Sequence, residues 1–198
     1  MTAIKIKNPG VHPGPKPQMQ FLETVTRGLI VLCITMAIVL SSIAVCDGHW
    51  LLSDGKMFGL WYFCTTEDGA QPNCTTDLTQ AAIEGLPVRL VFCRTVVSFA
   101  VVAAIFGLEL LVMSQVCEGQ DARRRWAFGS VLVLLSAVLA AAGLLGFVLL
   151  LRSQASLLGF TLTFWCQFTA VFLLFINGMS GHHIHNMVLL PTGERGKY

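Results

Sequence analysis

Four long apolar stretches constrain the fold of this chain more than any other feature of its sequence. The first, Gly28–Val45, runs for eighteen residues without a charged side chain. About 20 apolar residues are enough for a helix to cross the hydrocarbon core of a bilayer. Of the 198 residues, 55% are hydrophobic and only 12% are charged, which excludes an ordinary soluble domain. The sequence predicts an all-α membrane protein whose four transmembrane helices occupy about 25–46, 88–117, 126–151 and 156–180.

The segments outside these helices predict how the chain sits in the membrane. Residues 1–24 are rich in proline and poor in apolar side chains, which favours a disordered tail. Residues 25–181 form the predicted four-span domain, and residues 182–198 form a second tail. Lysine and arginine concentrate on these tails and on the run Arg123–Arg125. Because basic residues favour the cytosolic side, both termini are predicted to be cytosolic at the plasma membrane, with residues 47–87 as an extracellular loop.

The predicted extracellular loop carries two cysteines, Cys64 and Cys74, among turn and polar residues. This pattern favours a disulfide over a zinc site, since His49 is the only further candidate ligand nearby. Asn73 begins the sequence Asn-Cys-Thr, which fits the acceptor pattern for N-glycosylation. The aromatic run Met57–Phe63 lies between turn residues and predicts one β-strand.

These residues resemble the signature of the claudin superfamily, which includes claudins, peripheral myelin proteins and the gamma subunits of voltage-gated calcium channels. The signature is Trp50, then Gly59-Leu60-Trp61, then the pair Cys64 and Cys74. The resemblance covers the whole chain. It implies a claudin-like bundle of four transmembrane helices with a small antiparallel β-sheet in the first extracellular loop.

Within the superfamily, four stretches are similar to the gamma-like subunits of calcium channels: Cys46–Leu52, Phe58–Trp61, Val101–Glu109 and Gly159–Leu162. Only about four residues, 152–155, join the third and fourth predicted helices, whereas claudins have a longer second loop. The resemblance implies an auxiliary subunit that binds the pore-forming alpha-1 subunit of a voltage-gated calcium channel. It would favour the closed or inactivated state and so reduce calcium current. A structural or adhesion protein of claudin or myelin type is one alternative, and a trafficking chaperone for another channel or receptor is a second.

Two residues near the membrane are candidates for a specific role. Glu109 is the one acid inside a predicted span, where a carboxyl group is costly and should face protein or water. It is predicted to contact a basic helix of a partner, to form a hydrogen bond within the bundle, or to be protonated near the inner interface. Arg94 is expected to extend to the lipid headgroups. Cys117 ends the second span and is a candidate for palmitoylation.

The sequence contains no recognisable arrangement for catalysis. It has no paired nucleophile and base, no phosphate-binding loop and no cluster of metal ligands. We therefore predict neither an enzyme nor a cofactor or metal site, and the expected partners are membrane lipid and protein, not nucleic acid or a small-molecule substrate.

Overall fold

Four long helices form the protein, which is described here from a computed structural model. They are α1 (Pro17–Asp47), α2 (Leu86–Val116), α3 (Gln120–Leu150) and α4 (Leu162–Leu189). Each contains a segment long and apolar enough to cross a membrane. The predicted four-span membrane fold is therefore confirmed. The structure describes residues 17–47, 49–53, 55–65, 73–76, 86–117, 119–152 and 159–189, so most of both predicted tails lies outside the described residues.

The ends of three helices differ from the prediction by six or more residues. Helix α3 begins at Gln120, six residues before its predicted start, and α4 ends at Leu189, nine residues beyond its predicted end. Helix α1 begins at Pro17, within the segment predicted to be disordered, and proline is well suited to the first turn of a helix because its missing N–H needs no partner there. Helix α4 begins at Leu162, not near residue 156, because the residues before it pair with the sheet. The Thr161 backbone N–H donates to the Trp50 carbonyl at 3.1 Å. The connection between α3 and α4 therefore covers residues 151–161 and is longer than predicted.

A four-stranded antiparallel sheet lies between α1 and α2, as the resemblance implied. Its strands are β1 (His49–Ser53), β2 (Lys56–Gly59), β3 (Phe63–Thr65) and β4 (Asn73–Thr75), and they neighbour one another in chain order. Gly55, with φ of 69°, lies in the short turn between β1 and β2, where a two-residue hairpin favours positive φ.

The prediction of a single strand over Met57–Phe63 is wrong. Gly59 ends β2 and Phe63 begins β3, so the aromatic run folds back on itself as a hairpin. The Gly59 backbone N–H donates to the Tyr62 carbonyl at 3.0 Å and closes the turn. Leu60 within that turn is fully buried. The high β-propensity of the run concealed this turn, because its only turn-forming residue is Gly59.

Two clusters of buried apolar side chains form the core. One joins the sheet to the adjoining ends of the helices, and the other fills the bundle farther from the sheet. Side-chain hydrogen bonds connect the helices inside the bundle, and one runs from the Trp126 indole N–H of α3 to the Gly181 carbonyl of α4 at 2.9 Å. The Ser41 hydroxyl donates to the Gln167 Oε1 at 2.9 Å, and the Ser136 hydroxyl donates to the Ala100 carbonyl at 2.7 Å.

Helices α2 and α3 approach each other closely at a pair of glycines. A Cβ added to Gly129 would lie 2.9 Å from the Gly107 carbonyl oxygen and 2.9 Å from the Leu111 Cγ. Small residues at such crossings let helix backbones pack tightly in a membrane, where helix association depends on van der Waals contact. The two helices therefore form a closely packed pair.

We expect Gly129→Ala to destabilise the protein by about 1–3 kcal/mol, because the added methyl group would meet a backbone oxygen that cannot rotate away. Thermal unfolding of the purified full chain in detergent measures the change. Gly28→Ala is the matched control, since a Cβ there would meet nothing within 4 Å. Equal unfolding temperatures for the two variants would contradict the close approach of α2 and α3.

Candidate functional site

Trp50 joins the sheet to the end of α1. Helix α1 ends at Asp47, so the carbonyls of its last four residues have no partner within the helix. The Trp50 indole N–H donates to one of them, the Ala44 carbonyl, at 3.0 Å. Its fully buried ring packs edge-on against Phe147 and Phe164, with ring centroids 4.9 and 6.1 Å away. One side chain thus connects β1 with α1, α3 and α4.

Trp61 satisfies the next carbonyl of the same helix end. Its indole N–H donates to the Val45 carbonyl at 2.7 Å, from the turn between β2 and β3. The Arg94 guanidinium lies over the Trp61 ring, 4.5 Å from its centroid, which is the geometry of a cation–π contact. Arg94 therefore contacts the turn between β2 and β3, and its extension to the lipid headgroups stays a prediction. No local sequence pattern indicates this pairing, because Arg94 and Trp61 lie on different elements.

The predicted disulfide between Cys64 and Cys74 is present. The two residues face each other across β3 and β4 in the antiparallel register, with Cα atoms 4.0 Å apart. Cys64 is buried and Cys74 is exposed. Among the described residues, no group of three or more metal-ligating side chains is present. The bond ties β4, the last strand of the sheet, to β3.

The start of α4 is fastened to β1 by contacts that the sequence analysis missed. The hydroxyls of Thr161 and Thr163 both donate to the His49 carbonyl. Phe160 pairs with Leu51 as an isolated bridge. The only signal in the sequence was the two threonines at the beginning of an apolar run. With the two tryptophans, these contacts hold the sheet against one end of the bundle.

Glu109 faces away from the bundle, among exposed apolar side chains of α2. Within the described part of the chain, its carboxylate forms no hydrogen bond or ion pair. The interpretation of Glu109 as a hydrogen-bonded residue inside the bundle is therefore wrong. Contact with a partner and a protonated side chain near the inner interface both stay predictions.

Two further candidates have positions that fit their predicted modifications. Asn73 is exposed at the beginning of β4, beside the disulfide. Cys117 is partly exposed just after the last residue of α2, at the bundle end far from the sheet. Glycosylation of Asn73 and palmitoylation of Cys117 stay predictions.

Comparison with known proteins gives two matches. Residues 10–189 match a family model described as the voltage-dependent calcium channel gamma-like subunit protein family. A human protein named voltage-dependent calcium channel gamma-like subunit is 50% identical over 187 residues, which cover 94% of this chain and 97% of the human protein.

We expect Trp50→Phe to destabilise the protein by about 1–3 kcal/mol, because it leaves a carbonyl in a buried bond at the end of α1 without its donor. Trp61→Phe should destabilise it by about 0.5–1.5 kcal/mol, because its bond is exposed and water can replace the donor. Trp165→Phe is the matched control, since Trp165 is exposed on α4 and contacts only neighbouring rings among the described aromatic contacts. Thermal unfolding in detergent compares the three variants. An equal loss of stability in all three variants would contradict the role of Trp50 and Trp61 as hydrogen-bond donors to the end of α1.

Proposed function

Because the chain belongs to the voltage-dependent calcium channel gamma-like subunit protein family, we propose that it is an auxiliary subunit of a voltage-gated calcium channel. It packs beside the pore-forming alpha-1 subunit and favours the closed or inactivated state, which reduces calcium current. It is not an enzyme in this proposal. Its role depends on contact between membrane helices.

The packing of the bundle supports this role over conduction by the chain itself. Small and branched side chains from all four helices fill the bundle interior with exposures of 0–2%: Ile34, Ala37, Ala104, Val133, Ala137 and Ala170. Such packing leaves no room for hydrated ions along this part of the bundle axis. The large apolar side chains on the outer faces, in contrast, are free to contact lipid or another membrane protein. This filled interior is the observation on which the proposal depends.

Gating modulation requires that the subunit bind one state of the channel more tightly than another. A subunit with equal affinity for all states would shift none of them, however tightly it bound. A difference of about 1.4 kcal/mol between two states changes their ratio tenfold. A modest difference in helix contact between two channel states is therefore sufficient to change their populations.

The proposed orientation places the sheet outside the cell and both termini in the cytosol, at the plasma membrane. Arg123–Arg125 lie at the start of α3, at the end of the bundle far from the sheet. Arg27 lies at the same end, where its guanidinium sits 4.8 Å from the centroid of the Trp126 ring. Basic residues favour the cytosolic side, and tryptophan favours the membrane interface. The disulfide favours an oxidising environment for the sheet.

Recording calcium currents with and without the chain tests the gating proposal. We expect co-expression with an alpha-1 subunit to reduce the peak current and move the voltage of half-inactivation to more negative values, because the inactivated state is bound more tightly. The amount of alpha-1 subunit at the cell surface is measured in parallel, so that a change in trafficking is not mistaken for one in gating. Unchanged amplitude and inactivation at equal surface amounts would contradict the proposal.

The proposed orientation predicts a glycan on Asn73. Enzymatic deglycosylation is expected to reduce the mass of the wild-type chain but not that of Asn73→Gln or Thr75→Ala, which both destroy the acceptor pattern. Thr76→Ala is the matched control and should keep the glycan. A wild-type chain whose mass is unaffected by deglycosylation would contradict this prediction.

A further inference from the structure

We propose that the outer face of α2 around Glu109 is a docking surface for a transmembrane helix of a partner protein that carries an arginine or lysine at the same depth. This Glu109 face comprises Val102, Ile105, Phe106, Glu109, Val112 and Met113. The proposal rests on the proposed function for the identity of the partner, an alpha-1 subunit. The position, depth and chemistry of the surface rest on the geometry of α2.

Glu109 points directly away from the bundle. Successive residues of an α-helix are about 100° apart, so Gly107 and Leu111 point about 160° from Glu109. Both of these residues pack against α3, and Leu111 is 1% exposed. The apolar residues that share the face with Glu109 are 43–57% exposed. Among the residues that the structure describes, the apolar neighbours of Glu109 on this side of α2 are all exposed, and none belongs to the buried core.

The depth of Glu109 follows from contacts on neighbouring elements. Toward the sheet, Arg94 contacts Trp61 and lies fifteen residues before Glu109, about 22 Å along the helix axis. Toward the other end, Gly129 packs against Gly107 and Leu111, which places it level with Glu109. Trp126, with Arg27 over its ring, lies three residues farther in that direction, about 4.5 Å away. Glu109 therefore lies inside the apolar layer, about one helical turn from its edge.

The direction of helix α2 keeps the carboxylate in that layer. Side chains on an α-helix tilt toward its N-terminus. The N-terminus of α2 is at the sheet end, so the Glu109 side chain tilts away from the nearer edge and toward the membrane centre. Glutamate also has a shorter stem than lysine or arginine, and it reaches a headgroup less readily. Lipid headgroups are thus poorly placed to form hydrogen bonds with the Glu109 carboxylate.

A basic side chain on another protein is the partner that this chemistry favours. An acid in the membrane is costly when it is unpaired, and pairing with a cation forms a charge-assisted hydrogen bond. Within the described residues, the arginines and lysine lie at or beyond the levels of Trp126 and Arg94. Arg27 is already paired with Glu23 at 2.7 Å. A second copy of this chain therefore offers no described cation at the required depth, and a heteromeric partner is favoured.

Capture of a co-expressed alpha-1 subunit by the full chain in mild detergent tests the proposal. Wild type is expected to capture the subunit, and Glu109→Leu is expected to capture about tenfold less, since truncating one member of a buried charge pair is costly. Glu109→Asp should restore part of the capture. Thr169→Val is the matched control, because Thr169 is exposed on α4 and its hydroxyl bonds only locally to the Trp165 carbonyl. Equal capture by wild type and Glu109→Leu would overturn the docking surface but leave the proposed function intact.

Photocrosslinking tests the surface independently of the partner's identity. A benzophenone amino acid replaces Phe106 on the Glu109 face or, as a control, Phe172 on α4, and both positions are 57% exposed. From Phe106 we expect an adduct with a transmembrane segment that contains arginine or lysine, and Glu109→Leu should remove it. If wild type captures no alpha-1 subunit, the proposed function fails, and this adduct alone decides the docking inference. Adducts with lipid only, with a second copy of the chain, or with an uncharged segment would overturn it.

Discussion

Two indole N–H groups bonded to two of the four free carbonyls at the end of α1 are the contacts on which the rest of the structure depends. The end of a transmembrane helix leaves its carbonyls without partners, and here Trp50 and Trp61 supply donors to Ala44 and Val45. Because the two tryptophans belong to different parts of the sheet, the sheet can lie in only one place relative to α1. Trp50 packs against Phe147 and Phe164, and the Arg94 guanidinium packs over the ring of Trp61. Two further contacts stabilise this arrangement: the disulfide joins β3 to β4, and the threonines at the start of α4 donate to β1.

The bundle beneath the sheet separates internal packing from external contact. Its interior is filled with small and branched side chains, and the backbones of α2 and α3 approach closely at Gly107 and Gly129. The outer face of α2 is consequently held by a well-packed neighbour. A rigid face with one acid in an apolar setting suits selective contact with another membrane helix, because an unpaired or mismatched charge there penalises wrong partners. Together with the family to which the chain belongs, these features favour an auxiliary subunit.

The sequence predicted the parts of the structure that depend on composition and local pattern. The apolar runs predicted four spans, and two loop cysteines predicted the disulfide. Contacts between distant elements were less accessible. Helix α4 begins at Leu162 and not near residue 156, because Phe160 and Thr161 pair with β1. No local pattern of α4 reveals this pairing. The contact of Arg94 with Trp61 likewise needs the folded sheet. The direction of Glu109 was hidden for another reason: α2 is apolar on all sides, so periodicity does not distinguish its buried face from its outer face.

Cryo-electron microscopy of the chain purified together with an alpha-1 subunit would test the central claim most directly. We predict that a transmembrane helix of the alpha-1 subunit packs along the Glu109 face, with an arginine or lysine nitrogen within salt-bridge distance of the Glu109 carboxylate. A complex in which the alpha-1 subunit contacts a different face, and lipid surrounds Glu109, would contradict the docking surface. Failure of the two proteins to form any complex would contradict the proposed function itself.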